Sequence, residues 1–525
     1  MTCMSWTTGD YTGGVARQLR RLIGAVALLT AVGFSPTFTF AADELGFKPL
    51  FNGKDLTGWD GNPKFWSVVD GVIQGQTTKE NPTSGNTFLI WRDGQVDDFE
   101  LRAQFKIVGG NSGIQYRSKD LGNWVVGGYQ ADFDASNGYT GILYEEKATR
   151  GIMSQRGTKT TYSADGKKEE VRFADGNELK EKIKFEDWNE YVVTASGSRC
   201  SHSINGALMS ETIDNDPAKQ VMSGILALQL HAGPPMTVQF KNIRIKRTKL
   251  ADNRKKIVMV AGSHSQGAGV DDFYACSLLL KKCLDKVPGV LTQVYLSGWP
   301  KDATAFDNAD AVMFYADGGG GHPAIQGDRL VQVDRLAKSG VGIVCVHYGV
   351  EVPKEKGGPE FLDWIGGYFE MNWSVNPHWT AKFDKFPDHP ISRGVKPFEA
   401  NDEWYYHMRF RPNLVGVTPI LSALPPKETL SRGDGPHSGN PDVRKAVLER
   451  MEPQHVAWAA ERPDGGRGFG FTGGHRHANW GNDSLRKLVL NALLWTAKVE
   501  VPAKGVESSI TEDDLKSNLD PKGKK

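Results

Sequence analysis

The first half of the chain alternates between apolar and polar residues with the two-residue period of β-strands. Segment 99–107 alternates over its whole length, with Phe, Leu, Ala, Phe and Ile on one side. The pairs Asp70-Gly71 and Asn205-Gly206 are turn signals for hairpins between such strands. Many short strands joined by turns that contain glycine predict an all-β sandwich of the jelly-roll kind.

Three strands predicted between residues 111 and 146 carry a polar face opposite an apolar one. Alternation assigns Ile142 and Tyr144 to the core and predicts a polar face that holds Gln115, Arg117, Gln130, Asp132, Asp134 and Glu145. Trp124 and Tyr139 lie in the same stretch of sequence and add aromatic surface. Acids, amides, a guanidinium and aromatic rings together are typical of a sugar-binding cleft, although an ordinary solvent-exposed sheet is also polar. The pattern therefore predicts a polar strip that is a candidate site.

A different pattern begins after the charged connector 249–255. Continuous apolar runs, which fit parallel strands covered on both faces, occupy residues 257–261, 311–315 and 341–346. Helical spacing follows the first run, over residues 273–287, and occurs again near the end of the chain. These features predict an open α/β sheet. Residues 501–525 are charged and lack periodicity, so they are predicted to form a flexible tail.

The length of the chain, 525 residues, exceeds the size of a single core and predicts at least two domains. Three arginines precede an apolar run at residues 22–34, and Thr39-Phe40-Ala41 offers a cleavage site, which together predict an export signal. The predicted division is a signal peptide at 1–42, a β-sandwich at 43–248, a linker at 249–255, an α/β domain at 256–500 and a tail at 501–525. The mature chain is expected to be exported, to the periplasm or beyond, without stable membrane insertion.

The charge balance limits the classes of partner. The 63 Lys and Arg residues and the 62 Asp and Glu residues leave a net charge of +1. Nucleic acids and anionic membranes need a clustered basic surface, so neither is expected as the main partner. The five cysteines indicate no disulfide framework.

Ten of the twelve histidines lie after the connector, so any metal site is predicted in the second half. His264 follows the first apolar run, His347 follows the third, and His475 follows the Gly-rich segment 468–474. Because ligands of open α/β sheets bind at the carboxyl ends of strands, these three side chains are predicted to line one crevice. Glu403 is the candidate acidic partner, and this donor set suits a divalent metal ion such as zinc. No spacing is a closed metal motif, so histidines bonded to backbone are the alternative interpretation.

Short motifs of the first half occur in a fixed order along residues 46–247, among them Trp66-Ser-Val-Val-Asp-Gly71, Asn111-Ser-Gly-Ile-Gln-Tyr-Arg117, Gly128-Tyr-Gln130 and Val238-Gln-Phe-Lys-Asn-Ile243. With these motifs the segment resembles the 3-keto-disaccharide hydrolase domain family. The resemblance implies a concanavalin-like jelly roll and action on 3-keto-glycosides. Many members read Gly-Tyr-Glu with a Gln two residues on, whereas this chain has Gln130 and Asp132, so the carboxylate has changed place.

The chemistry that this resemblance implies begins at the ketone. A ketone at C3 acidifies the proton at C2, so a base and an electrophile can expel the anomeric group, and water adds afterwards. Asp132 or Glu145 would act as base or acid, and Arg117, or a divalent metal in its place, would stabilise the oxyanion. The remaining residues of the strip would bind substrate, namely Gln115, Gln130, Asp134, Trp124 and Tyr139. Direct hydrolysis with retention or inversion stays open, because the separation of the carboxylates is not readable from sequence.

The second half carries another set of motifs, Val346-His-Tyr-Gly349, Ile365-Gly-Gly-Tyr-Phe369, His389-Pro-Ile391, Asn401-Asp-Glu-Trp-Tyr405 and Gly473-Gly-His475. Over residues 256–498 it resembles the ThuA-like, trehalose-utilisation family, which is similar in fold to class I glutamine amidotransferases. The resemblance implies a flavodoxin-like open parallel sheet and a role in carbohydrate metabolism. Amidotransferases place a nucleophilic cysteine on the turn after a strand, where this chain has His347. Cys345 lies within the strand, which argues against glutaminase chemistry.

Three functions are compatible with these features. The first is an exported carbohydrate-active hydrolase that acts on 3-keto-glycosides in the sandwich, with an α/β domain of related sugar role. The second is a lectin-like binding protein without turnover. The third is a metal-dependent hydrolase in the α/β domain, with the sandwich as a targeting module.

Overall fold

The computed structural model describes residues 45–263 and 269–521. The predicted signal peptide lies outside the described residues. Among the residues that are described, no helix is both long enough and apolar enough to cross a bilayer.

The first half forms the predicted β-sandwich. Its strands are β1 (Lys48–Pro49), β2 (Trp59–Asp60), β3 (Trp66–Val69), β4 (Val72–Thr77), β5 (Thr87–Val96), β6 (Phe99–Val108), β7 (Asn111–Asp120), β8 (Val126–Asp134), β9 (Leu143–Glu146), β10 (Gly151–Ser154), β11 (Thr158–Tyr162), β12 (Lys168–Arg172), β13 (Asn189–Ser196), β14 (Arg199–Ile204), β15 (Ala207–Asp214), β16 (Gly224–Leu230) and β17 (Met236–Arg247). One short helix, α1 (Gly176–Lys180), interrupts them.

Two sheets pack face to face. The front sheet has the order β10-β9-β8-β7-β16-β5-β2. The back sheet has the order β12-β11-β15-β14-β13-β6-β17-β4-β3, with β1 paired to β17. Pairing is antiparallel except between β11 and β15. Inward residues of both sheets, such as Phe105 of β6 and Phe133 of β8, form one hydrophobic core, as the alternation predicts.

The second half is the predicted α/β domain. Its strands are β18 (Lys255–Ala261), β19 (Val290–Tyr295), β20 (Ala311–Tyr315), β21 (Gly342–Val346), β22 (Gly367–Tyr368), β23 (His378–Phe383), β24 (Phe398–Glu403), β25 (Arg409–Phe410), β26 (Val417–Ala423), β27 (Gln454–Glu461) and β28 (Arg467–Phe471). Its helices are α2 (Phe273–Leu284), α3 (Arg329–Lys338), α4 (Gly358–Ile365), α5 (Pro441–Arg444), α6 (Asp483–Thr496) and α7 (Glu512–Lys516).

The central sheet of this domain has the order β19-β18-β20-β21-β28-β27-β26. The first five of these strands are parallel, and β27 and β26 are antiparallel to their neighbours. The sheet is therefore mixed, whereas the sequence predicted a parallel one. The reason is that β27 and β28 follow each other directly as a hairpin, which pairs them antiparallel. Strand β26 then adds antiparallel to the outer side of β27, across the longer connection that holds α5. Two short ribbons, β22–β25 and β23–β24, stand apart from this sheet.

Buried charges join the sandwich to the α/β domain. Lys256 of β18 pairs with Asp97 at 2.7 Å, and Arg247 of β17 pairs with Asp302 at 2.9 Å, with all four side chains at most 2% exposed. Burial lowers the pKa of Lys256. Leu250 of the predicted linker is also buried. The linker is thus part of a packed interface.

The predicted tail is folded against the α/β domain. Val501 and Val506 are 1% and 2% exposed and belong to its hydrophobic core. Helix α7 begins with a capping box at Thr511, and the backbone N–H of Asp520 donates to Asp272 at 2.7 Å. The prediction of a flexible tail is therefore contradicted as far as residue 521, because a few apolar residues without periodicity are enough to anchor the segment.

Candidate functional sites

The polar strip lies on the face of the front sheet that points away from the core. The register pairs Gln115 with Gln130 and Gly113 with Asp132. The amide of Gln115 donates to Gln130 Oε1 at 2.8 Å, and the amide of Gln130 donates to Asp132 Oδ2 at 2.7 Å. A Cβ at residue 113 would lie 2.4 Å from Cγ of Gln130. Gly113 therefore leaves the space in which the Gln130 side chain crosses the sheet.

Asp132 is the central acid of this strip and is 4% exposed. Its Oδ1 accepts a hydrogen bond from Asn111 Nδ2 at 2.7 Å. Burial raises the pKa of Asp132 to about 7 against the hydrogen bonds from Gln130 and Asn111, and the neighbouring carboxylates of Asp134 and Glu146 add to the rise. A carboxyl group with a pKa near neutrality can take up and release a proton at physiological pH, as general acid–base catalysis requires.

Glu145 does not belong to the strip, contrary to the prediction. The register sets Tyr144 opposite Gln130 and Glu145 opposite Tyr129, so Glu145 shares the core-facing side of Tyr129. There it forms an ion pair with Arg150 at 2.5 Å. The prediction assigned Ile142 and Tyr144 to the core, but in the structure β9 starts at Leu143, and it is Leu143 whose side chain points into the core. A shift of one residue sends every side chain to the other face.

Glu146 takes the place that was predicted for Glu145. It accepts hydrogen bonds from the amides of Asn86 at 3.3 Å and Gln229 at 3.4 Å. Tyr144 lies on the same face, and burial together with the carboxylates of Glu146 and Asp132 raises its pKa. The strip therefore holds two carboxylates and a phenol that stays protonated.

Arg117 does not reach the strip either. The β7–β8 ladder has a bulge at this residue, and Arg117 adopts a φ of 47°. The bulge reverses the alternation, so Arg117 turns into the sandwich, where it is 1% exposed and pairs with Asp98 at 2.7 Å. Its other N–H groups donate to the carbonyls of Asp97 and Gly197. The structure thus contradicts the predicted position of Arg117 as oxyanion partner, since its guanidinium ties the two sheets together.

The three remaining predicted residues lie at the ends of β8. Asp134 accepts hydrogen bonds from the backbone N–H groups of Tyr139 at 2.7 Å and Thr140 at 3.1 Å, which fixes the turn after β8. Trp124 precedes β8 and donates to Asp60 at 2.8 Å. Because β8 has nine residues and spans roughly 26 Å, Trp124 and Tyr139 do not line one pit.

A second group, the histidine cluster, lies beyond the carboxyl ends of the central strands and consists of Asp271, His347, His378, Glu403 and His475. His347 follows β21 and His475 comes four residues after β28, and these two strands are parallel neighbours. Glu403 ends β24, and Asp271 comes shortly before α2. The sheet therefore gathers residues that are 204 positions apart in sequence, Asp271 and His475.

Two carboxylate oxygens and two imidazole nitrogens form the centre of the cluster. His347 Nε2 lies 3.2 Å from Asp271 Oδ1 and 3.5 Å from Glu403 Oε2. His475 Nδ1 lies 3.1 Å from Asp271 Oδ1 and 3.5 Å from Glu403 Oε2. His378 is paired across the strands with Glu403 and adds an imidazole on the exposed side. Groups of this kind are the usual ligands of transition metals.

The buried His347 is held in one orientation. Its Nδ1 lies 2.8 Å from the carbonyl oxygen of Thr472, and its Nε2 lies 3.2 Å from the hydroxyl of Tyr405. Burial lowers the pKa of His347, but the pairs with Asp271 and Glu403 outweigh burial and raise this pKa to about 10. Burial raises the pKa of Asp271, but its contacts with His347 and His475 outweigh burial and hold this pKa far below its usual range.

Of the predicted second-half residues, the structure brings His347, Glu403 and His475 together. His264 lies outside the described residues. Asp271 and His378 were missed, although Asp271 could have been found as an acid that follows the first parallel strand at the same sheet edge. His378 had no such signal, because its position depends on the β23–β24 ribbon.

Two family models match the chain. Residues 46–246 match the 3-keto-alpha-glucoside-1,2-lyase-like domain, and residues 299–496 match the Trehalose utilisation family. The chain thus joins one domain of each kind, as its motifs predicted, and is a protein with carbohydrate-related domains. A search of curated proteins finds no match to the chain.

Solved structures with similar folds include a candidate glycosyl hydrolase from Parabacteroides distasonis, which is 21% identical over 38% of this chain and 99% of that chain, with a TM-score of 0.27. A carbohydrate-binding module from Bacillus subtilis is 16% identical over 36% of this chain and 95% of that chain, with a TM-score of 0.25. A candidate ThuA-like protein from Bacteroides uniformis is 17% identical over 46% of this chain and 91% of that chain, with a TM-score of 0.34.

Proposed function

We propose that the sandwich domain cleaves the glycosidic bond of 3-keto-glycosides by elimination followed by hydration, with Asp132 as the base. The observation that carries this proposal is a buried carboxyl group whose pKa is about 7, set in a strip of amides and a second carboxylate. The match of residues 46–246 to the 3-keto-alpha-glucoside-1,2-lyase-like domain supports the substrate class.

The reaction needs one group that moves a proton and one that stabilises an oxyanion. The Asp132 carboxylate removes the C2 proton, which the C3 ketone acidifies, and the electron pair forms an enediolate. The enediolate then expels the glycosidic oxygen from C1, and this oxygen takes up the proton. Water adds across the new C1–C2 double bond, with its hydroxyl on C1 and its proton on C2. The products are a 3-keto sugar and the free alcohol.

The strip supplies candidates for the other roles. Tyr144 is half-buried, and its raised pKa keeps the hydroxyl protonated, so it can donate a hydrogen bond to the C3 oxygen. This assigns to Tyr144 the role that was predicted for Arg117. Glu146, oriented by Asn86 and Gln229, is placed to accept a hydrogen bond from the water that adds to C1.

The test uses the full mature chain and methyl 3-keto-α-glucoside. Wild-type protein is expected to release methanol, and Asp132→Asn is expected to lose roughly 100-fold or more in kcat while it still binds the glycoside. Asp120→Asn is the matched control, since Asp120 lies on the same sheet but pairs with Arg92 at the surface. Binding by the wild type without methanol release would refute the catalytic proposal and favour the lectin-like function.

The proposal also includes export, on the basis of the arginines and the apolar run before residue 42. N-terminal sequencing of protein recovered from the periplasm or the medium tests this part, with a mature terminus near residue 42 as the expected result.

A further inference from the structure

We propose that the histidine cluster of the α/β domain binds one divalent first-row transition metal ion, with Asp271, His347, Glu403 and His475 as ligands and His378 beside an open position. The proposal concerns a different domain from the proposed lyase site and does not depend on it.

The distances agree with tetrahedral coordination. Zinc binds nitrogen and carboxylate oxygen at about 2.0–2.1 Å, so the edges of its ligand tetrahedron measure about 3.3–3.4 Å. The four contacts between an imidazole nitrogen and a carboxylate oxygen measure 3.1, 3.2, 3.5 and 3.5 Å. One ligand atom from each of Asp271, His347 and His475 also lies within 4.8 Å of the other two. His378, Glu403 and His475 form a second group with the same spacing, which shares His475 with the first. The four nitrogen–oxygen contacts are thus close to the edges of a ligand tetrahedron.

The charge of the cluster calls for a cation. Because Nδ1 of His347 faces the carbonyl of Thr472, it carries a hydrogen, and the Nε2 lone pair of the neutral ring then points at two carboxylate oxygens. A lone pair and two anions repel each other unless a cation or a proton lies between them. In the described parts of the chain, the ion pairs of Asp271 and Glu403 are all with histidines. A divalent ion would neutralise both carboxylates together.

Two of the four ligands stand in strained backbone conformations. His347 has a φ of 52° and Asp271 has a φ of 50°, which are left-handed values that side chains other than glycine rarely adopt. Such conformations are unfavourable and cluster at active sites and ligand-binding positions. The fold therefore keeps these two side chains in the cluster at a cost in stability.

The surroundings orient the ligands as they do in metal sites. The carbonyl of Thr472 fixes the ring of His347, and Asn376 donates to the second oxygen of Glu403 at 3.2 Å. His378 is exposed, so this side of the cluster faces solvent. A bound ion could therefore take a water molecule or a substrate oxygen on the His378 side. Imidazole and carboxylate donors suit zinc, and also manganese, iron and cobalt.

The experiment measures metal binding by the full chain, prepared without a histidine tag, stripped with a chelator and dialysed against Zn²⁺ or Co²⁺. Elemental analysis is expected to find one equivalent of metal per chain, and Co²⁺ is expected to give the intense visible absorption of a tetrahedral site. His475→Gln is expected to lose roughly 100-fold or more in affinity, and His378→Gln roughly tenfold. His455→Gln is the matched control, because His455 lies on β27 and hydrogen-bonds to Ser422.

The outcomes separate metal binding from a network that is held by protons. Wild-type protein that retains no metal after loading would overturn the proposal and leave a protonated His347 between the two carboxylates. Equal affinities for the wild type, His475→Gln and His378→Gln would overturn it as well. If His475→Gln fails to fold, the metal affinity of His378→Gln tests the proposal, because His378 is exposed and its replacement should leave the core intact. The readout is metal content, so loss of glycoside cleavage does not bear on it.

Discussion

Replacement of Asp132 by asparagine tests the central feature of the sandwich site through stability as well as activity. In the folded chain the pKa of Asp132 is raised from 3.8 to about 7, mainly by burial. Below pH 3.8 the carboxyl group is protonated in both the folded and the unfolded chain, so its burial does not reduce the free energy of unfolding through ionisation. As the pH rises towards 7, only the unfolded chain releases the proton, and the free energy of unfolding falls. Above pH 7 the full cost is present.

The size of this cost follows from the shift. A shift of about three pKa units corresponds to about 4 kcal/mol at about 1.4 kcal/mol per unit. Asparagine removes the charge but brings an N–H group to a place where the amides of Asn111 and Gln130 both donate. One donor without an acceptor costs about 1–3 kcal/mol. We therefore expect Asp132→Asn to be about 1–3 kcal/mol more stable than the wild type at pH 8 and to lack activity.

The assay is urea unfolding of both proteins between pH 4.5 and pH 8. The difference in the free energy of unfolding is expected to change by about 3 kcal/mol over this range in favour of the variant. Asp134→Asn is the contrast, since Asp134 accepts backbone N–H groups in a turn and its loss should destabilise at every pH. A difference between Asp132→Asn and the wild type that does not change with pH would refute the reasoning, because the carboxyl group would then not titrate near neutrality.

Three further predictions concern the ion pair of Glu145, the domain interface and the tail. Glu145→Gln weakens a buried ion pair outside the strip, so the free energy of unfolding should fall by about 1–3 kcal/mol. The kcat/KM of the folded protein should stay unchanged. A loss of kcat/KM without a loss of stability would show instead that Glu145 belongs to the site. Lys256→Met leaves Asp97 at the domain interface without its closest cation and should cost about 3–5 kcal/mol in urea unfolding. Lys255 is only partly buried in its ion pair with Asp310, so Lys255→Met should cost less than about 1 kcal/mol. Deletion of residues 501–525 removes two core valines, Val501 and Val506, and should lower the free energy of unfolding by about 3–6 kcal/mol. An unchanged melting temperature would contradict the packed tail.

Much of the fold was predictable, because burial on one face or on both faces leaves a direct trace in the sequence. The alternation at 99–107 became β6, and the apolar runs became β18, β20 and β21. The meeting of His347 and His475 was also predictable from the rule that ligands gather at the carboxyl ends of parallel strands. That rule needs only strand order and direction.

The errors share one cause, which is that each depended on pairing with a distant segment. Arg117 was assigned to the strip by counting along a strand, but a bulge in β7 turned it into the core. Glu145 was assigned by the same counting, and the start of β9 at Leu143 exchanged its place with Glu146. His378 carries no pattern of its own and gained its place only when the β23–β24 ribbon paired it with Glu403.

The sequence by itself determined the two domains, their β and α/β classes, the apolar faces and the carbohydrate-related motifs, because hydrophobic periodicity and local motifs are properties of neighbouring residues. Only the tertiary structure decided which acids face the strip, which cation holds the sheets together, and that His378 joins the histidine cluster. Those choices depend on register, bulges and strand order. A shift of a single residue in any of them moves a side chain to the opposite face of a sheet, and no local pattern records that shift.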